Sequence, residues 1–121
     1  QYLQAVAELK RTRCLFIVER YDESMLLLEK ALADDFPTID LAYVAQNVTQ
    51  GRDGKLQHRV RAVYTELGAE LEQELRERNH WDMKLYEDAQ AILEERLGAL
   101  GRLEAQLDNF RARCHALAAA R

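Results

Sequence analysis

Hydrophobic positions recur at helical spacing along most of the 121-residue chain. A narrow stripe over residues 2–11 steps by three and four, as side chains on one face of a helix do. A second amphipathic segment covers about residues 23–33, where Met25 begins the apolar face and Asp22 can act as the N-terminal cap. The pattern therefore predicts two short helices in the first third of the chain.

Between these two helices the pattern changes. Residues 14–18 read CLFIV, a continuous apolar run rich in β-branched and aromatic side chains, which is typical of a buried strand. The other strand candidate, residues 41–45, is weak. Since a lone buried strand leaves its backbone donors and acceptors unpaired, either these two segments pair or the strand's neighbours lie outside this chain.

From Leu56 onward the spacing is helical throughout. One aliphatic stripe ends near Arg78, and Asn79 then provides a new N-terminal cap for a second helix. From Leu93 the apolar steps alternate between three and four, which predicts a heptad-like seam of the coiled-coil type. The seam predicts a homodimer through Leu93, Leu97, Leu100, Leu107, Phe110 and Leu117.

The clearest break in the pattern lies at residues 49–54, TQGRDG, where two glycines stand among polar residues. Dividing the chain there gives a strand-helix portion at 1–50, interpreted as a sheet edge, and a helical hairpin with the heptad-like tail at 51–121. The predicted fold class is mainly α, with an N-terminal strand-helix element followed by two long antiparallel helices.

Composition narrows the classes of partner. The chain is 48% hydrophobic and 31% charged, which favours a globular protein over a disordered one. Its net charge of −4 comes from interleaved residues of both signs, so no concentrated basic face for nucleic acid is expected. No apolar run approaches membrane-spanning length. Cys14 and Cys114 do not make a disulfide framework, and their redox state stays open; a bacterial cytoplasm is the expected compartment.

Residues 18–24, VERYDES, are the strongest candidates for a functional site, because they follow the apolar run and begin a helix. Glu19, Asp22 and Glu23 could supply a base or bind a hydroxyl-bearing substrate. Helix capping and surface ion pairing are the more frequent roles of such side chains, and they account for the same residues.

A basic stretch near the predicted boundary includes Arg52, Arg59 and Arg61. These guanidinium groups could contact a sulfate, a phosphate or an acidic glycan. Clusters of charged residues are more often a solvated surface without a ligand. Trp81 could stack on a sugar, but it shares a helix face with Leu85, so a place in the core is expected.

Other chemistry is not expected in this chain. The histidines lack metal-ligand spacing, so no metal site is predicted. No glycine-rich phosphate loop is present, so no cofactor-binding residue is predicted either. No nucleophile, base and orienting residue occur together, which argues against a small independent enzyme.

Three patches nevertheless resemble one family. Residues 16–28, FIVERYDESMLLL, resemble a late stretch of the sulfotransferase domains that act on galactose and related glycans, where a hydrophobic strand leads through Glu-Arg-Phe-Asp-Glu-Ser-Leu into a Leu-rich helix. Residues 79–86, NHWDMKLY, are similar to a second stretch, in which an Asn precedes an Asp, a Leu and a Tyr. Residues 40–44, DLAYV, with Asn47, lie between them in the same order. The tail beyond Leu97 is not covered.

This resemblance implies that the chain is the C-terminal part of an α/β sulfotransferase domain, or a relic or free-standing relative that cannot bind the donor alone. Such enzymes transfer sulfonate from 3′-phosphoadenosine 5′-phosphosulfate to a hydroxyl, usually of a carbohydrate. Their donor-binding segments lie upstream of the matched region, so the donor and the remaining domain are implied only for a full-length parent. Glu19, Arg20 and Asp22 are motif positions without an assigned role. The alternative is a helical interaction or dimerisation module that pairs with a partner helix or with its own copy.

Overall fold

A computed structural model of the protein describes residues 1–46 and 55–121, of which 75% are helical. This confirms the mainly helical class for the described part of the chain. The elements in order are α1 (Tyr2–Arg11), a 3-10 turn (Val18–Arg20), α2 (Tyr21–Leu32), α3 (Leu56–Leu67), α4 (Ala69–Arg78), α5 (His80–Leu100) and α6 (Leu103–Ala119). The predicted boundary at 49–54, with Arg52 and Asn47, lies outside the described residues.

Both short helices predicted for the first third of the chain are confirmed. α1 has the predicted bounds and ends at Thr12, whose backbone is extended. α2 begins earlier than predicted, at Tyr21, with Arg20 at the N-cap position and no side-chain cap. Asp22 is therefore not the cap. It lies in the first turn together with Glu23, where the free N–H groups of the helix favour negative charge.

The strand predicted at residues 14–18 is not present, and no strand occurs within 1–46 or 55–121. Ile17 is extended, with φ −119° and ψ 120°, and is 4% exposed. Its N–H donates to Ser24 Oγ at 3.0 Å, and the Ser24 hydroxyl lies 3.2 Å from the Ile17 carbonyl. One fully buried side chain of α2 thus reaches both backbone groups of Ile17, which removes the need for a strand partner at this residue.

The two long antiparallel helices predicted for the second half are four helices in the structure. Gly68, at φ +86°, ends α3, and Gly101, at φ +65°, ends α5. Glycine adopts these positive φ values without a Cβ clash, so both breaks follow from local chemistry. Asn79 precedes α5 but does not cap it with its side chain, because Nδ2 donates instead to the Leu75 carbonyl of α4 at 2.8 Å. Gly98 lies inside α5 without interrupting it.

The core lies where α1 and α2 pack on the hairpin of α5 and α6. One cluster contains Ile17, Ala89, Leu93 and Leu97, and the other contains Leu26, Leu107 and Phe110. Half-buried Leu100 and Leu103 contact both clusters. Residues from the predicted portions 1–50 and 51–121 therefore share one core.

The heptad-like seam faces this core. Four of its six residues are buried within the chain itself, namely Leu93, Leu97, Leu107 and Phe110. Leu100 is half-buried, and Leu117 is 44% exposed. The three-and-four spacing thus reflects packing within the chain, and a dimer through the whole seam would have to open the core.

α3 and α4 contact each other and lie largely exposed to solvent. Val60, Val63, Leu67 and Leu71 on these two helices are each at least 39% exposed. Among the described residues, no helix combines the length and apolar character needed to cross a bilayer.

Candidate functional site

The acidic segment at the start of α2 is held by partners from other elements. The Tyr86 hydroxyl on α5 donates to Glu19 Oε2 at 2.6 Å. This hydrogen bond lowers the pKa of Glu19 and raises the pKa of Tyr86. The contact makes Glu19 a hydrogen-bond acceptor that joins the turn before α2 to α5.

Glu23 is part of an ion-pair group that fastens α2 to α5. The Arg20 guanidinium donates to Glu23, with Nε 3.2 Å from Oε1, and also pairs with Glu94 of α5. The hydrogen bonds that Arg20 donates to Glu23 are the main reason that the pKa of Arg20 is raised, and Glu94 adds to it. The side chains of Arg20 and Glu23 are only 24% and 20% exposed, so this pair is partly shielded from water.

Asp22 links α2 to two further segments. Its Oδ1 accepts a hydrogen bond of 2.7 Å from the Tyr43 hydroxyl, and its Oδ2 accepts one of 3.0 Å from Arg111 Nε on α6. Burial and the bond to Asp22 raise the pKa of Tyr43. The structure thus places Glu19 in the 3-10 turn and Asp22 and Glu23 in the first turn of α2, and each carboxylate has a different partner.

A buried ion pair that sequence reasoning missed lies farther along α2. Arg113 of α6 donates to both carboxylate oxygens of Glu29, at 2.7 and 2.9 Å, and also pairs with Asp40. The Leu41 N–H donates to Glu29 as well, at 2.9 Å. Burial opposes ionisation of Glu29, but these three hydrogen bonds outweigh it and lower the pKa of that carboxyl.

One sequence signal could have found this pair. Glu29 follows Met25 by four positions and Leu26 by three, so it occupies the apolar face of α2. A charged residue at such a position is rarely buried without a partner. Arg113, however, lies in the tail that the family resemblance leaves uncovered, so the sequence did not indicate which residue the partner was.

The arginines predicted to contact an anion lie on a different helix from the acidic residues. Arg59 and Arg61 are exposed on α3, which contacts α4, whereas Glu19, Asp22 and Glu23 contact α5, α6 and Tyr43. Arg61 lines a groove of about 650 Å³ between α3 and α4. The structure therefore does not bring the acidic and basic candidates together.

An exposed aromatic surface lies where α1 meets the start of α5. Trp81 is 59% exposed, so the expectation that it lies in the core is wrong. It stands in the first turn of α5, where Tyr2 covers it at a ring-centroid distance of 5.1 Å. Lys84 Nζ lies 4.8 Å from the Tyr2 ring, and a hydrogen bond to Asp88 raises the pKa of Tyr2 to about 12. Exposed aromatic faces of this kind can stack on sugar rings.

An apolar groove of about 460 Å³ runs beside the extended segment before the 3-10 turn. Its walls include Leu15, Phe16 and Val18 from that segment, and Leu85 and Ala89 from α5. Phe16 is 40% exposed and Val18 is 71% exposed. Large apolar side chains are thus clustered at the surface on this side of the molecule.

Neither a metal centre nor a disulfide is found in the part of the chain that the structure describes. No three His, Cys, Asp or Glu residues within 1–46 and 55–121 converge as metal ligands would. Cys14 is exposed and Cys114 is half-buried, and both are free thiols.

Comparison with known proteins identifies a similar protein but indicates no activity. No family model matches the chain. An uncharacterized protein of Archaeoglobus fulgidus is 31% identical to it over 84 residues, which cover 69% of this chain and 33% of that relative. No solved structure matches the chain. The chain thus spans about a third of the length of the curated relative it matches.

Proposed function

We propose that this chain is the C-terminal portion of a sulfotransferase that transfers sulfonate from 3′-phosphoadenosine 5′-phosphosulfate to a carbohydrate or similar hydroxyl acceptor. The donor-binding segments would lie outside these residues. The observation that carries the proposal is the arrangement of residues 14–24. An extended apolar run passes through one 3-10 turn into α2, in the order strand, acidic turn and helix of the family it resembles.

The exposed side chains of residues 14–18 support the sulfotransferase assignment. Residues 14–17 pair with no strand in the described ranges, and Ile17 already has β-region torsion angles. The exposed side chains of Phe16 and Val18 border an apolar groove, as expected where further sheet residues would pack. In the complete domain, residues from outside this chain would pack on the exposed side chains of Phe16 and Val18.

The acidic motif would position the turn before α2. Glu19 accepts a hydrogen bond from Tyr86, Asp22 accepts one from Tyr43, and Glu23 accepts one from Arg20. These contacts would hold residues 18–24 against the rest of the domain.

Exposed Trp81 on α5 could stack on a sugar. Arg59 and Arg61 on α3 could contact an acidic glycan. The donor would supply the sulfonate, and one of these two surfaces would bind the acceptor.

Nucleotide binding tests the proposal. Isothermal titration of 3′-phosphoadenosine 5′-phosphate into the longest natural chain that contains these residues should show one site. The 121-residue chain should show none, and adenosine 5′-monophosphate, which lacks the 3′-phosphate, serves as the matched control ligand. A natural chain that binds neither nucleotide, or binds both equally, would contradict the proposal.

The second candidate is a helical interaction or dimerisation module without catalytic activity. The aliphatic residues exposed on α3 and α4 favour it, as does Leu117 on α6. The two candidates differ in a simple measurement. A module would change molar mass with concentration, would bind no nucleotide and would transfer no sulfonate.

A further inference from the structure

The exposed aromatic surface at the start of α5 borders a groove against α1. The groove has a volume of about 280 Å³. Its walls are formed by Gln1, Tyr2, Ala5, Trp81, Asp82 and Leu85. Two aromatic rings thus stand beside one carboxylate and one amide side chain, a mixture that suits a ligand with both an apolar face and hydrogen-bonding groups.

Contacts from α5 hold the Tyr2 ring in place. The Tyr2 hydroxyl donates a hydrogen bond to Asp88. Lys84 Nζ lies 4.8 Å from the centre of the Tyr2 ring and 5.6 Å from the centre of the Trp81 ring. Because this aromatic wall is already ordered, less conformational entropy is lost when a ligand binds against it.

Trp81 offers a free surface for stacking, and Asp82 offers hydrogen-bond acceptors beside it. The indole is 59% exposed, and the planes of the Tyr2 and Trp81 rings meet at 41°, so Tyr2 covers Trp81 only in part. A pyranose ring has C–H groups that can cover such an aromatic face. Its hydroxyl groups need acceptors, and exposed Asp82, which forms no salt bridge with any residue in 1–46 or 55–121, supplies two carboxylate oxygens.

The charges around the groove favour an uncharged sugar. The carboxylates of Glu87 and Asp88 both raise the pKa of Tyr2, so their negative charge reaches the groove. Together with Asp82 they place three carboxylates near the rings, against the ammonium group of Lys84. An acidic sugar would therefore be repelled.

We propose that the groove between Tyr2 and Trp81 binds an uncharged pyranose ring, with Trp81 stacked on its C–H groups and Asp82 accepting hydrogen bonds from its hydroxyl groups. The role of this sugar as the sulfonate acceptor rests on the proposed function, whereas its binding does not. The assignment places the acceptor on α5 rather than at the arginines of α3.

Tryptophan fluorescence tests the groove directly, because Trp81 is the one tryptophan of the 121-residue chain. Methyl β-galactopyranoside, titrated into this chain, should shift the emission and reach saturation. The matched ligand is the methyl galactopyranosiduronate, in which a carboxylate replaces the hydroxymethyl group. We expect its dissociation constant at low ionic strength to be higher by about threefold or more.

Substitutions locate the binding, and saturation-transfer NMR follows the sugar in variants without the tryptophan. Trp81→Leu should raise the dissociation constant of the galactoside about tenfold or more. Asp82→Asn removes one charge at nearly constant size, so the difference between the two sugars should shrink. The matched control is Phe36→Leu, since Phe36 is also 59% exposed but lies after α2, outside the groove. It should leave both affinities unchanged.

Three results would overturn the proposal. The galactoside could give no saturable response, the galacturonoside could bind as tightly as the galactoside, or Trp81→Leu could keep the full affinity in a protein that circular dichroism shows to be folded. Titration of the longest natural chain with 3′-phosphoadenosine 5′-phosphate separates this site from the sulfotransferase assignment. Sugar binding at Trp81 without nucleotide binding would support the groove and contradict the assignment, whereas nucleotide binding without sugar binding would do the reverse.

Discussion

Replacing Ser24 by Ala removes the one side chain that reaches both backbone groups of Ile17. The Ile17 N–H donates to Ser24 Oγ at 3.0 Å, and the same hydroxyl lies 3.2 Å from the Ile17 carbonyl. Ser24 is fully buried and Ile17 is 4% exposed, so water cannot replace the hydroxyl without opening the core. The alanine fits the space of the serine and leaves the apolar contacts intact.

The expected loss of stability follows from these contacts. A buried donor left without a partner costs about 1 to 3 kcal/mol, and here the Ile17 N–H is that donor. The Ile17 carbonyl keeps a partner, because it also accepts a hydrogen bond of 3.0 Å from the Arg20 N–H. We expect Ser24→Ala to lower the free energy of unfolding by about 2 kcal/mol.

Urea unfolding followed by circular dichroism at 222 nm measures this change. Thr12→Ala is the matched control, because the Thr12 hydroxyl also bonds a backbone carbonyl, that of Glu8 at 2.9 Å, but in an exposed position. We expect the control to cost no more than about 0.5 kcal/mol. Equal losses for the two variants would refute the idea that Ser24 anchors the extended segment.

Three further predictions follow from the core and the ion pairs. Glu29→Gln should cost about 1 to 3 kcal/mol at pH 7 by weakening the buried pair with Arg113. Since the folded pKa of Glu29 is lowered, this difference in urea stability should persist above about pH 4.3, the ordinary glutamate value, and vanish as pH falls through the folded pKa. Leu93→Ala should cost about 2 to 5 kcal/mol without lowering the molar mass in light scattering, because Leu93 is 0% exposed in the chain's own core. Tyr86→Phe should raise the pKa of Glu19 towards its ordinary value in an NMR titration, with a stability change within about 0.5 kcal/mol.

Each of these predictions has a contrary outcome. A pH-independent difference for Glu29→Gln would show that the carboxylate charge is not what stabilises the fold. Loss of a dimer in Leu93→Ala, while the monomer stays folded, would place the seam at an interface. An unchanged pKa of Glu19 in Tyr86→Phe would exclude the hydrogen bond as the cause of the shift.

Local patterns were sufficient for part of the fold. The bounds of α1 follow from its apolar spacing. The start of α5 lies where it was predicted, directly after Asn79, but the predicted side-chain cap is absent. The break at Gly68 was missed because the aliphatic steps from Leu67 to Leu71 keep helical spacing across it. Only the positive φ of Gly68 separates α3 from α4. The spacing of apolar residues does not reveal such a backbone angle.

The strand was predicted wrongly for a different reason. Residues 14–18 have the composition of a buried strand, and composition cannot show that a side chain satisfies the backbone instead. The anchor, Ser24, is seven residues from Ile17 and belongs to the following helix. Such contacts depend on how the turn at Val18–Arg20 directs α2, which is settled by packing.

The candidate site was found only in part, because its partners are distant in sequence. Glu19, Asp22 and Glu23 stand in one motif, but Tyr86 is 67 positions from Glu19, and Arg111 is 89 positions from Asp22. Hydrophobic periodicity places α5 and α6 as helices without specifying which polar residues meet α2. Helix packing brings these pairs together, so single-sequence patterns predict the motif and leave its contacts open.

The most direct measurement is sulfonate transfer itself. The longest natural chain that contains these residues would be incubated with 3′-phosphoadenosine 5′-phosphosulfate labelled in the sulfonate and a set of galactose-containing and related glycans. The proposal predicts that the label moves to at least one glycan in step with release of 3′-phosphoadenosine 5′-phosphate. Donor that stays intact with every acceptor, in a protein shown to be folded, would contradict the assignment.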